Sequence, residues 1–507
     1  MPGKRVPRIN RLLHYALWGR FKGLTPSPWF DSQHYLTRNR DVARLGQDPL
    51  YHFVHHGWRE NRLPLPDFDL AHEHRADAQR RRVRRALQDW QDPLLNHMLR
   101  GLPPRIAVPA LGQLPWQQRL DSETLDLLDL QNWPSARPCP QGGTAPRRIV
   151  DVVVPVYAGV GDTLACLHSV LSQPQQTAFE LVVFDDCSPD PTLSHMLHQL
   201  ARRGLLTLRV QRRNQGFIRT VNAAMALHPQ RDAVLLNSDT EVHGPWLDRL
   251  IAHLDTSPLA ASITPLSNNA TVCSYPHTLA DNPPLPASEA GQIDALAARL
   301  NAGVAVTAPT GVGFCMVLRR SAWQQTGPLD AAAFGLGYGE ENDWCMRATQ
   351  RGWQHLLAAD VYVTHRGAVS FGGESNQRIL AALATLAQRY PDYQTRIQAH
   401  ADADPLAPAR ARLDAARLKR ALAGRPVLLQ VSHARGGGVA RAEQEQALKA
   451  RQQGWEVLQL RPAQRQSNAS DHPAVAIMSD LPLALPNLNQ LSVAADGMLA
   501  ELLAELK

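Results

Sequence analysis

Three aspartates in the middle of the chain lie shortly after apolar runs. Asp185 and Asp186 come after FELVVF, and Asp239 comes after the apolar start of LLNSDTEV. Carboxylates at such positions can accept hydrogen bonds from a pyrimidine N–H and from ribose hydroxyls, and they can ligate a hard divalent cation, which prefers oxygen ligands. The sequence therefore predicts base and ribose contacts at Asp185 and Asp186, and Mg²⁺ or Mn²⁺ binding at Asp239.

A second acidic group lies about 100 residues further on. Glu340, Glu341 and Asp343 crowd together in GYGEENDWCMRATQRGW. Neighbouring carboxylates raise one another's pKa toward that of a usable general base, so this cluster is a candidate for proton abstraction.

The elements that must position these groups are strands alternating with helices. From Arg147 the chain reads RRIVDVVVPVY, a continuous β-branched run, and is followed by a helical stretch at 162–172. The strand FELVVFDD, a helix, the strand LLTLRVQ, the helix GFIRTVNAAMALH and the strand DAVLLNSD come next. This alternation predicts βαβ units and an α/β fold whose ligand lies at the carboxyl ends of the strands.

Each motif has a purely structural alternative. DDCSPD is also typical of a turn with Asx hydrogen bonds, and NSD after a strand is typical of helix capping. Three acids at a helix start also suit the helix dipole. The order and spacing of the motifs favour a functional interpretation.

Taken together, residues 148 to about 370 resemble the family-2 inverting glycosyltransferases of the GT-A fold. The resemblance is carried by VDVVVPVY, FELVVFDDCSPD, RRNQGFIRTVNAAM, LLNSDTEV, TGVGFCMVLRRSAW, GYGEENDWCMR and VYVTHRG. It implies a Rossmann-like mixed sheet flanked by helices and a nucleotide-sugar donor bound as UDP or dTDP. The implied acceptor is a glycan or a lipid-linked sugar in bacterial surface polysaccharide synthesis, such as O-antigen.

The resemblance assigns roles residue by residue. Glu341 takes the place of the catalytic base, flanked by Glu340 and Asp343, and His365 joins Asp239 as a metal ligand. The implied nucleotide-binding residues lie in four segments: Pro155, Val156 and Tyr157; Asp185 and Asp186; Asn214, Gly216 and Asn222; and Asn237 and Ser238.

Two departures from the family pattern bear on activity. The first acid of the D-x-D motif is Asn237, which leaves Asp239 as its only carboxylate. The Q-x-x-R-W motif of processive enzymes is not found in this region, so we expect one or a few sugars to be added per encounter.

The remaining chain is expected to form accessory parts. We predict a small helical module with a basic helix at 1–100, a Pro-rich linker at 101–146, the GT-A domain at 147–400 and a helical linker at 401–424. Residues 425–507 resemble the opening βαβ unit of family-4 GT-B glycosyltransferases, with Gly436, Gly437 and Gly438 in the loop. We expect this partial Rossmann-like unit to fold independently, to bind no sugar nucleotide and to be dispensable for transfer.

Composition excludes several classes of protein. The 507 residues carry 53 Lys and Arg against 46 Asp and Glu, a net charge of +7 that is mild for this length and does not indicate nucleic-acid binding. Six widely spaced Cys form no CxxC pair, which suggests reduced thiols in a cytoplasmic protein. No apolar run is long enough to cross a bilayer. Near the N-terminus, an apolar helix face with arginines beside it could bind a membrane surface. The alternative, which we favour, is that this helix docks on the protein itself.

The sequence also has to be compared with two rival functions. Nucleotidyl transfer would need a Gly-rich phosphate loop with a basic residue after the first strand, and VPVYAGVGD contains neither Lys nor Arg. A catalytically weak scaffold or binding subunit of a polysaccharide assembly complex is favoured by Asn237 and opposed by the intact acidic motif.

Overall fold

The structure is a computed structural model of the chain. It describes residues 32–39, 42, 122–135, 148–335, 337–367, 375–433, 438–463, 474–479, 481, 483–489 and 491–492. The chain divides into two compact units, 1–117 and 118–507. In the first unit, helix α1 spans Ser32–Arg38. The rest of the predicted N-terminal module, its basic helix and most of the Pro-rich linker lie outside the described residues.

A nine-stranded mixed sheet forms the centre of the second unit. Its order is β3-β2-β1-β4-β8-β6-β9-β5, and β7 pairs with β9. The pairs β3–β2, β2–β1 and β1–β4 are parallel, whereas β8 runs antiparallel to both β4 and β6. The strands are β1 Ile149–Val156, β2 Ala178–Asp185, β3 Thr207–Val210, β4 Ala233–Leu236, β5 Thr240–Glu241, β6 Ala260–Ser267, β7 Ala305–Ala308, β8 Cys315–Leu318 and β9 Gln354–His365.

Helices connect and flank these strands. They are α2 Ser122–Leu128, α3 Val160–Ser172, α4 Pro191–Arg202, α5 Phe217–Met225, α6 Trp246–Thr256, α7 Ala287–Leu300, α8 Arg320–Thr326, α9 Ala331–Phe334, α10 Glu340–Thr349, α11 Ser375–Arg389, α12 Tyr393–Ala403 and α13 Ala407–Leu422. The predicted strands and helices between 147 and 239 all form, and the predicted α/β fold with a Rossmann-like mixed sheet flanked by helices is confirmed.

The β-branched composition of β1 explains its central place. Val150, Val152 and Val154 belong to the hydrophobic core on one face of the sheet, and Val153 belongs to the core on the other face. Side chains alternate between the faces of a strand, so a strand buried on both sides must be apolar throughout.

The C-terminal residues form a smaller sheet of order β10-β11-β12-β13. Strands β10 and β11 are parallel and joined by a helix, as the predicted βαβ unit requires, but β12 and β13 continue antiparallel. These elements are β10 Val427–Val431, α14 Gly438–Gln452, β11 Glu456–Pro462, β12 Ala474–Ser479 and β13 Leu491–Ser492. Residues 434–437, which include two of the three loop glycines, lie outside the described residues.

Helix α13 joins the two sheets through both of its faces. Leu413 belongs to the core of the large sheet. Leu418 and Leu422 pack with Leu458 of β11 and Ile477 of β12. The segment expected to be a linker therefore contains a helix shared by two hydrophobic cores, which couples the C-terminal sheet to the main domain.

Among the helices that the structure describes, none is both long enough and apolar enough to traverse a lipid bilayer.

Candidate active site

The carboxyl ends of three neighbouring strands bring the predicted nucleotide-contacting segments together. Val156 of β1 lies in register with Asp185 of β2, and β4 pairs with β1 on its other side. Segments 155–157, 185–186 and 237–239 therefore leave the sheet at one edge. Pro155 and Tyr157 are partly exposed there, while the side chain of Val156 is buried.

The carboxylate of Asp185 is engaged within its own loop. Its Oδ1 accepts a hydrogen bond from the Ser188 N–H at 2.6 Å, and its Oδ2 accepts one from the Ser194 hydroxyl at 3.1 Å. Asp185 is buried. The turn expected as the structural alternative is thus present, and it shapes the loop that follows β2.

Asp186 ties this loop to the segment around Asn214. Its two oxygens accept from the backbone N–H groups of Gln215 at 2.7 Å and Gly216 at 2.8 Å. The Asn214 side chain also accepts from the Gly216 N–H, at 2.9 Å. Gly216 has a φ of 82°, which favours glycine, and it is the N-cap residue directly before α5. Burial raises the pKa of Asp186.

Asn222 connects α5 to the chain before α9. Its amide donates to the Leu329 carbonyl at 2.9 Å and accepts from the Leu329 N–H at 3.0 Å. Both functions of the amide are therefore engaged by protein backbone, an arrangement that suits a support for the loop better than a nucleotide contact.

Asp239 is placed by the turn that follows β4. The Asn237 N–H donates to the Phe314 carbonyl at 2.8 Å, and Thr240 pairs with His365 across β5 and β9. Asn237 is partly exposed and Ser238 is buried. The Asp239 Oδ2 accepts from the Gly367 N–H at 3.1 Å.

Asp239 and His365, remote in sequence, are neighbours in the structure. The Asp239 Oδ1 and His365 Nε2 atoms lie 3.5 Å apart. The other ring nitrogen, Nδ1, is 2.7 Å from the Asn269 carbonyl, so that Nδ1–H donates to it and Nε2 faces the carboxylate. An imidazole held in this way by a backbone carbonyl has the orientation of a metal ligand.

The charges of this pair reinforce one another. Burial opposes ionisation of both groups, yet the interaction with His365 lowers the pKa of Asp239, and the interaction with Asp239 raises the pKa of His365. One carboxylate oxygen and one imidazole nitrogen, both pointing to the same place, are donors that fit Mg²⁺ or Mn²⁺ completed by waters or a diphosphate.

The acidic cluster forms the first turn of α10. Glu340 is 4% exposed, and its Oε2 has no hydrogen-bond partner among the described residues. Burial, and then the charge of Glu341, raise the pKa of Glu340 well above its usual value. Glu341 is partly exposed, and burial raises its pKa as well. Of the two, Glu341 is the one that solvent or a substrate can reach.

Asp343 is held by three side chains. It is fully buried and accepts from Arg347 Nε at 2.8 Å, Arg389 Nη1 at 2.8 Å and the Tyr390 hydroxyl at 2.9 Å. These bonds fasten α10 to α11 and the residue after it. Such engagement favours a structural role for Asp343 and leaves Glu341 as the better placed base.

Gly313 and Phe314 bring the acidic cluster and the Asp239–His365 pair to one site. A Cβ added at Gly313 would lie 3.7 Å from the carboxyl carbon of Glu341. The next residue, Phe314, stacks on the His365 ring with centroids 5.2 Å apart. The sequence places these two residues in TGVGF, which the family resemblance assigns to the acceptor side, but their contact with both groups was not predicted.

Further charged residues near His365 were not assigned a role from the sequence. The carboxylate of Asp281 lies close enough to contribute to the raised pKa of His365. Arg366 binds Glu241 at 2.8 Å and approaches Asp162 to 3.5 Å. No sequence pattern indicated that these charged residues contact one another, so only the fold could reveal the contacts.

A further acidic group lies at the opposite end of β1. One ligand atom from each of Asp151, Glu180 and His228 falls within 4.8 Å of the others, so by distance the three could hold a metal ion. However, Arg231 Nη1 already lies 2.9 Å from the Asp151 carboxylate and 2.6 Å from that of Glu180. The guanidinium supplies the positive charge there, so Asp239 and His365 are the better candidate metal site.

The middle of the chain matches a known protein family. Residues 151–326 match the family model described as glycosyl transferase family 2. The match supports a family-2-like glycosyltransferase in this part of the chain, as the motifs predicted. The matched range ends before Glu341 and His365, so their candidacy depends on where the structure places them. The predicted likeness of 425–507 to GT-B enzymes is not confirmed.

Two solved structures show partial likeness. One is GalNAc-T7 with UDP, GalNAc and Mn²⁺, at 17% identity and a TM-score of 0.37, over 49% of this chain and 50% of that one. The other is the mannosyltransferase PcManGT from Pyrobaculum calidifontis with GDP-Man and Mn²⁺, at 16% identity and a TM-score of 0.35, over 64% of this chain and 89% of that one. The chain thus spans half the length of the first structure. No curated protein matches the sequence.

Proposed function

We propose that residues 147–400 form an inverting glycosyltransferase that uses a UDP- or dTDP-sugar. The acceptor would be a glycan or lipid-linked sugar in bacterial surface polysaccharide synthesis, with the protein cytoplasmic or peripheral at the inner membrane face. The observation that carries this proposal is that adjacent residues lie beside the two candidate groups. Gly313 lies beside Glu341, and Phe314 stacks on His365 of the Asp239–His365 pair.

The donor would bind along the carboxyl edge of the sheet. Segments 155–157 and 237–238 lie at the ends of adjacent strands, and the loops that Asp185 and Asp186 stabilise flank them. Nucleotides bind at this edge in open α/β sheets. In this proposal Asp185 and Asp186 contribute by shaping the nucleotide loop as well as by contacting the nucleotide.

Asp239 and His365 would hold Mg²⁺ or Mn²⁺ through Oδ1 and Nε2. The ion, when bound, offsets the negative charge of the diphosphate leaving group. Asn237 supplies no charge at the position of the missing acid, so the protein contributes one carboxylate to the site.

Glu341 would act as the base. The acceptor hydroxyl oxygen attacks the anomeric carbon from the face opposite the nucleotide, the bond from that carbon to the diphosphate oxygen breaks, and the hydroxyl proton passes to the Glu341 carboxylate. Attack from the opposite face inverts the anomeric configuration. A raised pKa suits this task because a stronger base accepts the proton more readily.

A panel of nucleotide sugars tests the proposal. The full chain is incubated with UDP-, dTDP- and GDP-sugars and Mn²⁺, and release of each nucleotide diphosphate is measured beside the matched Glu341→Gln variant. We expect release from a UDP- or dTDP-sugar that the variant does not support. Equal release by both proteins would refute Glu341 as the base. No release from any donor would refute the proposed glycosyltransferase activity.

The scaffold remains the second candidate because Asn237 replaces an acid of the metal motif. Isothermal titration with UDP and dTDP, in Mn²⁺ and in chelator, separates the two functions. A transferase should bind one of these nucleotides more tightly with Mn²⁺, whereas a scaffold has no reason to show affinity that depends on metal.

A further inference from the structure

The loop 268–282 packs against His365 and forms hydrogen bonds with its backbone and its ring. The side chain of Asn268 accepts from the His365 N–H and donates to the His365 carbonyl, both at 2.8 Å. The carbonyl of the next residue, Asn269, receives the Nδ1–H of the imidazole. The position of this loop therefore sets the position and the ring orientation of His365.

The loop is closed on itself next to this contact. Asn282 donates to the Asn268 carbonyl at 2.9 Å, and Asn268 donates to the Asn282 carbonyl at 3.0 Å. Both side chains are buried. A displacement of any part of 268–282 would thus be transmitted to the residues that hold the imidazole.

The middle of the loop, at Tyr275, is anchored to α13. Tyr275 is fully buried, and its hydroxyl donates to the Asp414 carboxylate at 2.7 Å. Its ring also contacts Tyr362 of β9 edge-to-face, with centroids 6.4 Å apart, three residues before His365. Arg417 of α13 donates to the same hydroxyl at 3.2 Å.

A residue from the C-terminal unit completes this anchor. The Asn487 side chain donates to the Pro276 carbonyl and to Asp414 Oδ2, each at 2.9 Å. Its backbone N–H donates to the same oxygen at 2.9 Å, and its Oδ1 accepts from Arg410 Nε at 2.9 Å. All the polar atoms of this side chain are engaged at the junction of the loop, α13 and the C-terminal unit.

The C-terminal sheet holds Asn487 in place. Its neighbour Leu488 is fully buried and packs with Leu418 of α13, Ile477 of β12 and Leu491 of β13. Asn487 can reach Pro276 only where this small core fixes the backbone beside it.

We propose that Asn487 is a positioning residue of the transferase, acting through Tyr275–Pro276 and Asn268–Asn269 on His365. The proposal rests on the proposed function in assigning His365 to the metal site. It makes residues 483–489 part of the support of that site, contrary to the expectation that 425–507 is dispensable. The step is conformational and requires no group beyond those of the chain.

Hydrogen–deuterium exchange on the full chain tests the coupling without metal or substrate. Asn487→Ala should speed exchange in peptides covering 268–282 and His365, while the β1 peptide 149–156 exchanges as in the wild type. Asn489→Ala is the matched control, because Asn489 has an exposed side chain two residues away. Unchanged exchange in 268–282, or faster exchange that extends through β1, would overturn the proposal.

Mn²⁺ titration of the same proteins provides the second measurement. Loss of a group that hydrogen-bonds a metal-binding histidine typically weakens metal affinity about 10- to 100-fold. Because Asn487 acts through intervening residues, we expect Asn487→Ala to show a measurable loss no larger than this, and Asn489→Ala to show none. Equal affinity in all three proteins would overturn the proposal. Failure of the wild type to bind Mn²⁺ would instead refute the metal site, and the exchange comparison would still decide the coupling.

If Asn487→Ala does not fold, Tyr275→Phe removes only the hydroxyl that binds Asp414 and keeps the buried ring. The same faster exchange at 268–282 is expected, and its absence would refute transmission through Tyr275.

Discussion

Replacing Glu340 by Gln should stabilise the protein near neutral pH. Glu340 is buried, its Oε2 has no partner among the described residues, and its pKa lies well above the usual 4.5. A carboxyl that stays protonated in the folded state but ionises in the unfolded chain favours unfolding as the pH rises. Glutamine has nearly the same shape and carries no titratable group, so this penalty disappears.

The magnitude follows from proton linkage. Each pKa unit corresponds to about 1.4 kcal/mol, so a group with an unfolded pKa near 4.5 can contribute a penalty of at most about 3 kcal/mol at pH 7. Protonated glutamate and glutamine both bury a polar hydrogen, and these costs largely cancel. We expect a gain of about 1–3 kcal/mol at pH 7, or roughly 2–5 °C in the melting temperature of a unit of this size.

The pH dependence distinguishes this mechanism from improved packing. Below about pH 4 the carboxyl is protonated in both the folded and the unfolded state, so the advantage of the variant should vanish there. It should grow as the pH rises from about 4.5 toward the raised folded pKa of Glu340, and level off above that pKa. Melting temperatures of both proteins, measured by calorimetry from pH 4 to pH 8, provide the test.

Asp343→Asn is the matched control in the same helical turn. Asp343 is bonded to Arg347 and Arg389, so its neutralisation should destabilise the protein by about 1–3 kcal/mol, less than for a fully buried pair because both arginines are partly exposed. Stabilisation by Glu340→Gln that is equal at pH 4 and pH 8, or destabilisation at pH 8, would refute the argument from ionisation.

The remaining predictions concern transfer. Glu341→Gln should lower turnover roughly 10²–10⁴-fold and spare donor binding, measured by nucleotide release and titration calorimetry. Near-normal turnover would move the role of base to Asp343 or Glu340. Because burial raises the pKa of Glu341, the acid limb of the turnover profile should lie above the usual glutamate range, and a midpoint at 4.5 or lower would contradict this. Asp239→Ala should weaken donor binding and be partly rescued by high Mn²⁺ through His365, whereas donor affinity indifferent to both mutation and metal would show that no cation is needed.

Much of the main domain is determined by local sequence. The β-branched run of β1 can be buried on both faces only as a central strand, and the alternation of strands and helices up to Asp239 forces a parallel arrangement. Polar residues that follow such strands must lie at one edge of the sheet. The position of segments 155–157, 185–186 and 237–239 at one edge could therefore be predicted without knowledge of any contact.

The tertiary structure decided which of these polar groups remain accessible. Sequence patterns cannot distinguish a carboxylate that is accessible to a ligand from one that accepts hydrogen bonds from nearby protein groups. Asp343 is engaged by arginines from α10 and α11, and Asp186 by the backbone before α5, whereas Glu341 is partly exposed beside Gly313.

The pairing of Asp239 with His365 and the role of the C-terminal unit depend on contacts between distant parts of the chain. Asn487 reaches Pro276 across 211 positions, and no periodicity or motif records such a bond. Local sequence determines strands and helices because their hydrogen bonds and side-chain periodicity are local. Contacts between distant residues depend on how the packed elements fill space, and only the folded chain specifies that.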